Sequence, residues 1–255
     1  MQTSYILFTV GKLNYALPLD QVHRIIMLEK FEQNNKPNSV VEGMMSFEDN
    51  VINVASFRKM VNLTAYSDDL KDLFLSLKEQ HVIWLNELKL SVENNTKFTK
   101  SFDPHMCQLG KWLDSFHTFD SEVAPTLRKL VQAHNHFHES GIEVVKARKE
   151  SLEKALEELE LNVKPLFKTT CSYIDELSNL TLNISKEMQK LLVLRNGDKL
   201  FGLIVDKIDD ILHTDSSIIQ SDDRLRRTNK QMNIVGVLEH QKVLRSVIDK
   251  INIGE

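Results

Sequence analysis

Residues 15–25 read YALPLDQVHRI and residues 201–211 read FGLIVDKIDDI. Set against each other, Leu17 falls on Leu203, Asp20 on Asp206, Val22 on Ile208 and Ile25 on Ile211. The likeness extends outward in the same order. TSYILFTV (3–10) leads through Gly11-Lys12 into the first segment, and KLLVLR (190–195) leads through Asn196-Gly197 into the second. Asn-Gly is a strong hairpin signal because both turn positions favour φ > 0. Downstream, Val41-Glu42-Gly43 aligns with Ile234-Val235-Gly236 ahead of a second hairpin in each half. In the first half VVEGMMSF and NVINVASF flank Glu48-Asp49-Asn50; in the second IVGVLEH is followed by KVLRSVID. Hairpin, aspartate, short apolar run, glycine and hairpin thus occur twice, which predicts an internal two-fold repeat and two similar β-subdomains.

Between the halves the periodicity changes from two to about 3.6. Residues 66–189 are rich in Leu, Lys and Glu and hold only Gly110 and Gly141. In the stretch 67–92, Leu70, Leu73, Leu77, His81, Trp84, Leu85 and Leu88 recur at three- and four-residue steps, one face of a helix, with Ser67 as its expected N-cap. Asp103-Pro104 introduces a short helix expected over 104–117, followed by one over about 121–140, a charged stretch running to Pro165 and a last helix over 166–188. The organisation expected is therefore a β part at 1–65, a helical insert at 66–189 and a second β part at 190–255. The fold class is α+β, and the two ends of the insert must lie close in space.

Bulk properties narrow the function. The chain has 255 residues, a net charge of −4 and a pI near 6.2, without the clustered basic excess of a nucleic-acid surface. No stretch approaches the roughly 20 apolar residues of a membrane span, and the N-terminus has no basic, apolar leader pattern. Two cysteines, Cys107 and Cys171, are too few for a disulfide framework, so a cytoplasmic setting is expected. No phosphate-cradling glycine loop and no HExxH motif is present. A catalytic zinc would also need an open position and a nearby carboxylate base; Glu139 is the only acid beside the histidine pair.

The residues that carry chemistry lie in the insert. His134 and His138 are four apart and stack on one helix face, a spacing that suits two imidazoles on one metal and equally a solvated, histidine-rich helix end. His136 falls on another face. His81 lies on the apolar side of the first helix, where a lone histidine reads as a core residue, and Cys107 alone reads as a small hydrophobe. Taken together, His81, Cys107, His134 and His138 offer three imidazoles and a thiolate from three helices, a complete tetrahedral zinc set. His105 is a rival ligand two residues from Cys107. Lys111 reads as solvated, Trp84 and Trp112 as core, and Cys171 as inert.

The insert resembles the chemoreceptor zinc-binding domain over about 70–140. The resemblance rests on His81-x-x-Trp84, on Cys107-x-Leu-Gly-Lys-Trp-Leu113 and on His134-x-x-x-His138. It implies that these four residues hold zinc, and that Cys107 is a redox-switch candidate answering zinc or an oxidant such as hypochlorous acid. The charged helices at 144–188 suit either a homodimer of bundles or one solvated bundle.

The β parts resemble the CheW family over about 3–62 and 188–253. The carriers are Tyr5-Ile-Leu-Phe, Tyr15 to Ile25, Gly43, Gly202-Leu-Ile-Val-Asp206, Gly236-Val237 and Ile248-Asp249. The resemblance implies a pair of small five-stranded β-barrels, no active site, and partners in the histidine kinase CheA and chemoreceptors. The implied role is a cytoplasmic, non-enzymatic signalling adaptor. One departure stands out: where the family hairpin carries Arg and Gly, this chain has Glu48 and Asp49, which reverses a charge and is expected to alter or weaken coupling.

Overall fold

The computed structural model describes residues 2–34, 39–221, 227–228 and 231–253. The chain divides into two compact units, one of Met1–Tyr66 with Ser185–Glu255 and one of Ser67–Ile184.

The first unit is built of strands β1 (Gln2–Val10), β2 (Leu13–Pro18), β3 (Val22–Met27), β4 (Glu32–Gln33), β5 (Val41–Phe47) and β6 (Asn50–Ser56). They are followed by the short helix α1 (Phe57–Met60). After the helical segment come β7 (Lys190–Asn196), β8 (Lys199–Val205), β9 (Lys207–Asp215), β10 (Arg227–Thr228), β11 (Met232–His240) and β12 (Val243–Ile251). They form two six-stranded sheets, ordered β10-β11-β12-β2-β1-β9 and β3-β7-β8-β6-β5-β4. Each has the five long strands expected and one additional two-residue strand, β10 or β4.

The repeat is real, but its halves are exchanged. Replacing β1-β2 by β7-β8, β9 by β3 and β10-β11-β12 by β4-β5-β6 converts one sheet order into the other. Each sheet therefore takes one hairpin from one half of the sequence and the remaining strands from the other. The exchange is made by the only two parallel pairings among the described strands. In one, Ser246 and Val247 lie opposite Tyr15 and Ala16; in the other, Asn53 and Val54 lie opposite Phe201 and Gly202. These are the positions the sequence alignment places in register.

Alternation along the strands explains the apolar runs. On β1, Ile6, Phe8 and Val10 enter a core shared by both sheets, while Tyr5 and Leu7 enter the private core of their own sheet. On β7, Leu192 and Leu194 face the shared core and Leu191 and Val193 the private one. Strands buried on both faces need no polar alternation, hence YILF and LLVL. The second-half turn is shifted by one residue from expectation. The ladder closes on Asn196 opposite Lys199, so Gly197 and Asp198 turn the chain, with Gly197 at φ +62°.

A buried ion pair marks the place where the insert leaves the β unit. Arg58 on α1 donates to both carboxylate oxygens of Asp206 at 2.7–3.0 Å. Asp206 also accepts from the Gly11 amide and from Gln189. Arg58 further donates to the Thr64 carbonyl and stacks on Tyr66, whose hydroxyl donates to Met188 Sδ at 3.6 Å. The ends of the insert meet, as a chain that leaves and re-enters one sheet requires.

The second unit contains most of α2 (Tyr66–Glu93), then α3 (Gln108–Ser115), α4 (Val123–Glu150), α5 (Leu152–Glu158) and α6 (Lys164–Asn179). The chain returns through α7 (Thr181–Met188). Several boundaries differ from expectation, among them the last helix, which is split at Leu180 into α6 and α7. Helix α2 begins at Tyr66, so Ser67 lies inside it rather than capping it. Residues 123–150 form one helix: Gly141 does not break it, because a Cβ there would meet the Trp84 ring at 2.6 Å and the close packing favours the glycine. Pro165 does not end a helix either: the chain stays helical from α5 into α6 through a π-helical stretch at Leu159–Val163, whose wider turn takes the place of the α-helical hydrogen bond that proline cannot make.

Candidate metal centre

Three elements bring the chemistry together. Leu70, Phe74, Leu77, Trp84 and Leu88 are the buried face of α2, and His81 lies on that face, 2% exposed. Leu130, Ala133, Phe137 and Val144 are the buried face of α4, and His134 and His138 lie on it at 0% and 1% exposure. Cys107 is the N-cap of α3, where its Sγ accepts from the Gly110 amide at 3.2 Å. The α3 helix is pressed against the Pro104 turn: a Cβ on Gly110 would stand 1.9 Å from the Pro104 carbonyl oxygen. Only glycine permits the approach that sets the thiol in place.

The four side chains converge. One nitrogen from each imidazole and the sulfur of Cys107 all lie within 4.8 Å of one another. Cys107 Sγ is 3.2 Å from His134 Nε2 and 3.8 Å from His81 Nε2. On the far side of its ring, His81 Nδ1 meets the Leu77 carbonyl at 2.6 Å, one helical turn back. His138 Nδ1 lies 3.4 Å from the Ser101 carbonyl, the same oxygen that accepts from Trp84 Nε1 at 2.9 Å. Such carbonyl contacts fix a ring's tautomer and aim its other nitrogen. The Leu77 and Ser101 carbonyls were not legible as site groups; only the i−4 position of Leu77 on the helix hints at the first.

Electrostatics prepares the same atoms. Burial holds His134 down to about 2 and His138 down to about 4, reinforced by the neighbouring rings, and burial lowers His81 as well. All three are neutral near pH 7, so each ring keeps one unprotonated nitrogen able to bind a metal. Burial raises the Cys107 thiol despite the Gly110 amide. His134 Nδ1 and His138 Nε2 are buried without a hydrogen-bond partner. A buried imidazole nitrogen left in this state is costly, and a cation among the four groups would relieve His138 and ionise the thiol together. The donor set fits zinc: three imidazoles and one thiolate make a closed tetrahedral shell.

The remaining candidates fall outside. His105 is exposed and pairs with Asp114 at 2.9 Å. His136 and Lys111 are exposed. Cys171 is buried, with its thiol pushed up to about 11 by desolvation. Trp84 packs on His138 and Phe137, while Trp112 is only half-buried between Phe74 and Phe116. Beside the four groups a cleft of about 300 Å³ opens, lined by Ile83, Trp84, Met106 and by His81, Cys107 and His138 themselves.

Comparison with known proteins agrees with this layout. Residues 81–145 match the chemoreceptor zinc-binding domain, a span that contains all four converging residues. Residues 4–87 match the CheW-like domain. The chain therefore carries a CheW-like domain and a chemoreceptor zinc-binding domain. The strands of 190–251 lie beyond the CheW-like match and complete both of its sheets. Among solved structures, the scaffolding protein TtCheW from Thermoanaerobacter tengcongensis is similar at 9% identity and a TM-score of 0.44, over 98% of this chain and 91% of that one. No curated protein matches the chain. Among the described residues no helix is long and apolar enough to cross a membrane.

Proposed function

We propose that the chain is a non-catalytic, cytoplasmic signalling adaptor that couples chemoreceptors to a histidine kinase of the CheA type, under control of zinc held by His81, Cys107, His134 and His138. The observation that carries the reading is the convergence of those four groups within 4.8 Å, together with a buried, unpartnered nitrogen on His138.

Four protein ligands leave no position for a catalytic water, so the centre suits holding and release rather than hydrolysis. Bound zinc would keep Cys107 as the thiolate, the form that reacts with oxidants. The neighbouring cleft gives that sulfur a route to solvent. A two-electron oxidant such as hypochlorous acid would deliver oxygen to sulfur and leave as chloride, producing a sulfenic acid that binds metal poorly. Because Cys107 also caps α3, the first turn of that eight-residue helix would loosen with it.

A second reading, a zinc-binding scaffold that no longer couples to the kinase, is favoured by Glu48. This residue stands at φ +51° in the β5–β6 turn and pairs with Arg24 at 3.1 Å and His23 at 3.6 Å. The reversed charge is thus partnered within the chain. Co-precipitation with kinase and receptor, with and without hypochlorous acid, separates the readings. The adaptor binds both partners and its binding changes on oxidation in the wild type but not in Cys107→Ser. A chain that binds neither in any state is the scaffold.

A further inference from the structure

A second cavity in the helical unit, of about 440 Å³, lies where α2 and α4 both end. Its wall includes Asn95, Lys97, Phe98, Phe102, Arg148 and Lys149. None of these residues belongs to the proposed zinc centre. We infer that this cavity is a binding site for a small amphiphilic anion, an aromatic or short-chain carboxylate whose apolar body lies on the phenylalanines and whose charge meets the three cations.

Charge is the first argument. The local acids are already engaged: Glu93 with Lys89, Glu143 with Lys146 and Glu150 with Lys154. No carboxylate among the described residues pairs with Lys97, Arg148 or Lys149. Two helix ends contribute about half a negative charge each at this place. The last carbonyls of α2 are in part occupied, however. The Thr96 amide donates to Ser91, the Asn95 amide to Val92, and Arg148 Nε to Val92 at 2.7 Å. Against roughly one unit of dipole charge stand three full cations, in a protein whose net charge is −4. The remaining positive field is local and unspent.

Shape is the second. Phe98 and Phe102 pack on each other at 4.9 Å and are only half-buried, so they present apolar surface to the cavity. The loop that carries them is held by Asn95 at φ +52°, the left-handed residue that terminates α2. Cations set around an aromatic floor favour a ligand with both an anionic and an apolar part. Free phosphate or sulfate satisfies only the charge.

The site has a built-in reporter. Trp84 packs edge-on against Phe98 at 5.1 Å and Phe102 at 6.0 Å. With Trp112→Phe as background, Trp84 is the sole tryptophan. Titration of this variant of the 255-residue chain with phenylacetate, phenethylamine and inorganic sulfate tests the inference. Saturable change of Trp84 fluorescence is expected with phenylacetate alone, weakened by added salt. The double variant Lys97→Glu/Lys149→Glu alters two exposed side chains, and its circular dichroism is expected to be unchanged. Its apparent affinity should fall by about tenfold or more, since each attraction becomes a repulsion. No saturable response to phenylacetate would overturn the inference, as would an equal response to phenethylamine or sulfate, or an affinity unchanged in the folded double variant.

Discussion

Gly110 and the three buried imidazoles are where single atoms decide the outcome. Gly110→Ala inserts a methyl 1.9 Å from the Pro104 carbonyl, which is backbone and has little room to yield. The expected cost is about 2–4 kcal/mol, with a displaced Cys107 and weaker zinc retention, measured by thermal unfolding and metal competition. The histidines set a pH dependence. In the metal-free protein His134 and His138 are held neutral to about 2 and 4, while in the unfolded chain both protonate near 6.5. The unfolded state therefore binds more protons between these values, and stability falls as pH drops from about 6.5 towards 4. Each ring contributes a slope of roughly 1.4 kcal/mol per pH unit. Denaturant titrations of metal-free protein across that range check it; a flat profile, or one unchanged in His134→Ala, contradicts it. Of the four converging residues only the His134/His138 pair is local in the sequence; His81 and Cys107 were legible as partners because their residue types complete a zinc set and their surrounding motifs resemble the chemoreceptor zinc-binding domain. The carbonyls of Leu77 and Ser101 that orient two of the rings were not, because every residue has a carbonyl and only the fold aims one.

At the scale of elements, the β-repeat was legible through register, since apolar period, aspartate and glycine recur at fixed offsets. The exchange of strands between sheets was not. It is decided by which edges pair in parallel, β12 with β2 and β6 with β8, and a parallel partner leaves no turn in the sequence to read. The same limit hid the asymmetry of the repeat. Asp20 and Asp206 align, yet Asp20 is exposed while Asp206 is buried and grips Arg58. Breaking such a pair from one side strands the other charge. Arg58→Met is therefore expected to cost about 3–5 kcal/mol, seen as a lowered unfolding midpoint, and a double change that also makes Asp206→Leu should recover much of the loss. An Arg58→Met protein as stable as wild type would show that the pair contributes nothing. Helix boundaries were misplaced where glycine and proline were read as breakers. Packing of Gly141 against Trp84, and the π-helical stretch that precedes Pro165, let the chain stay helical past both residues.

At the scale of the molecule, a β unit of interleaved halves and a helical unit lie on one chain that departs at Tyr66 and returns by Met188. The proposed coupling to a kinase would rest on the β unit, where Glu48 is the most telling departure from the family hairpin. If the Arg24 pairing has merely re-aimed a functional surface, Glu48→Arg is expected to change partner binding severalfold while leaving the zinc centre intact. Equal binding by both proteins would remove Glu48 from the account. The central claim is that the helical unit holds one zinc through His81, Cys107, His134 and His138. Elemental analysis of the purified chain tests it most directly, alongside Cys107→Ala and His134→Ala. About one zinc per chain, lost or weakened in both variants, is the predicted result. A folded wild-type chain that stays metal-free in added zinc, or variants that hold zinc as firmly as the wild type, would contradict it.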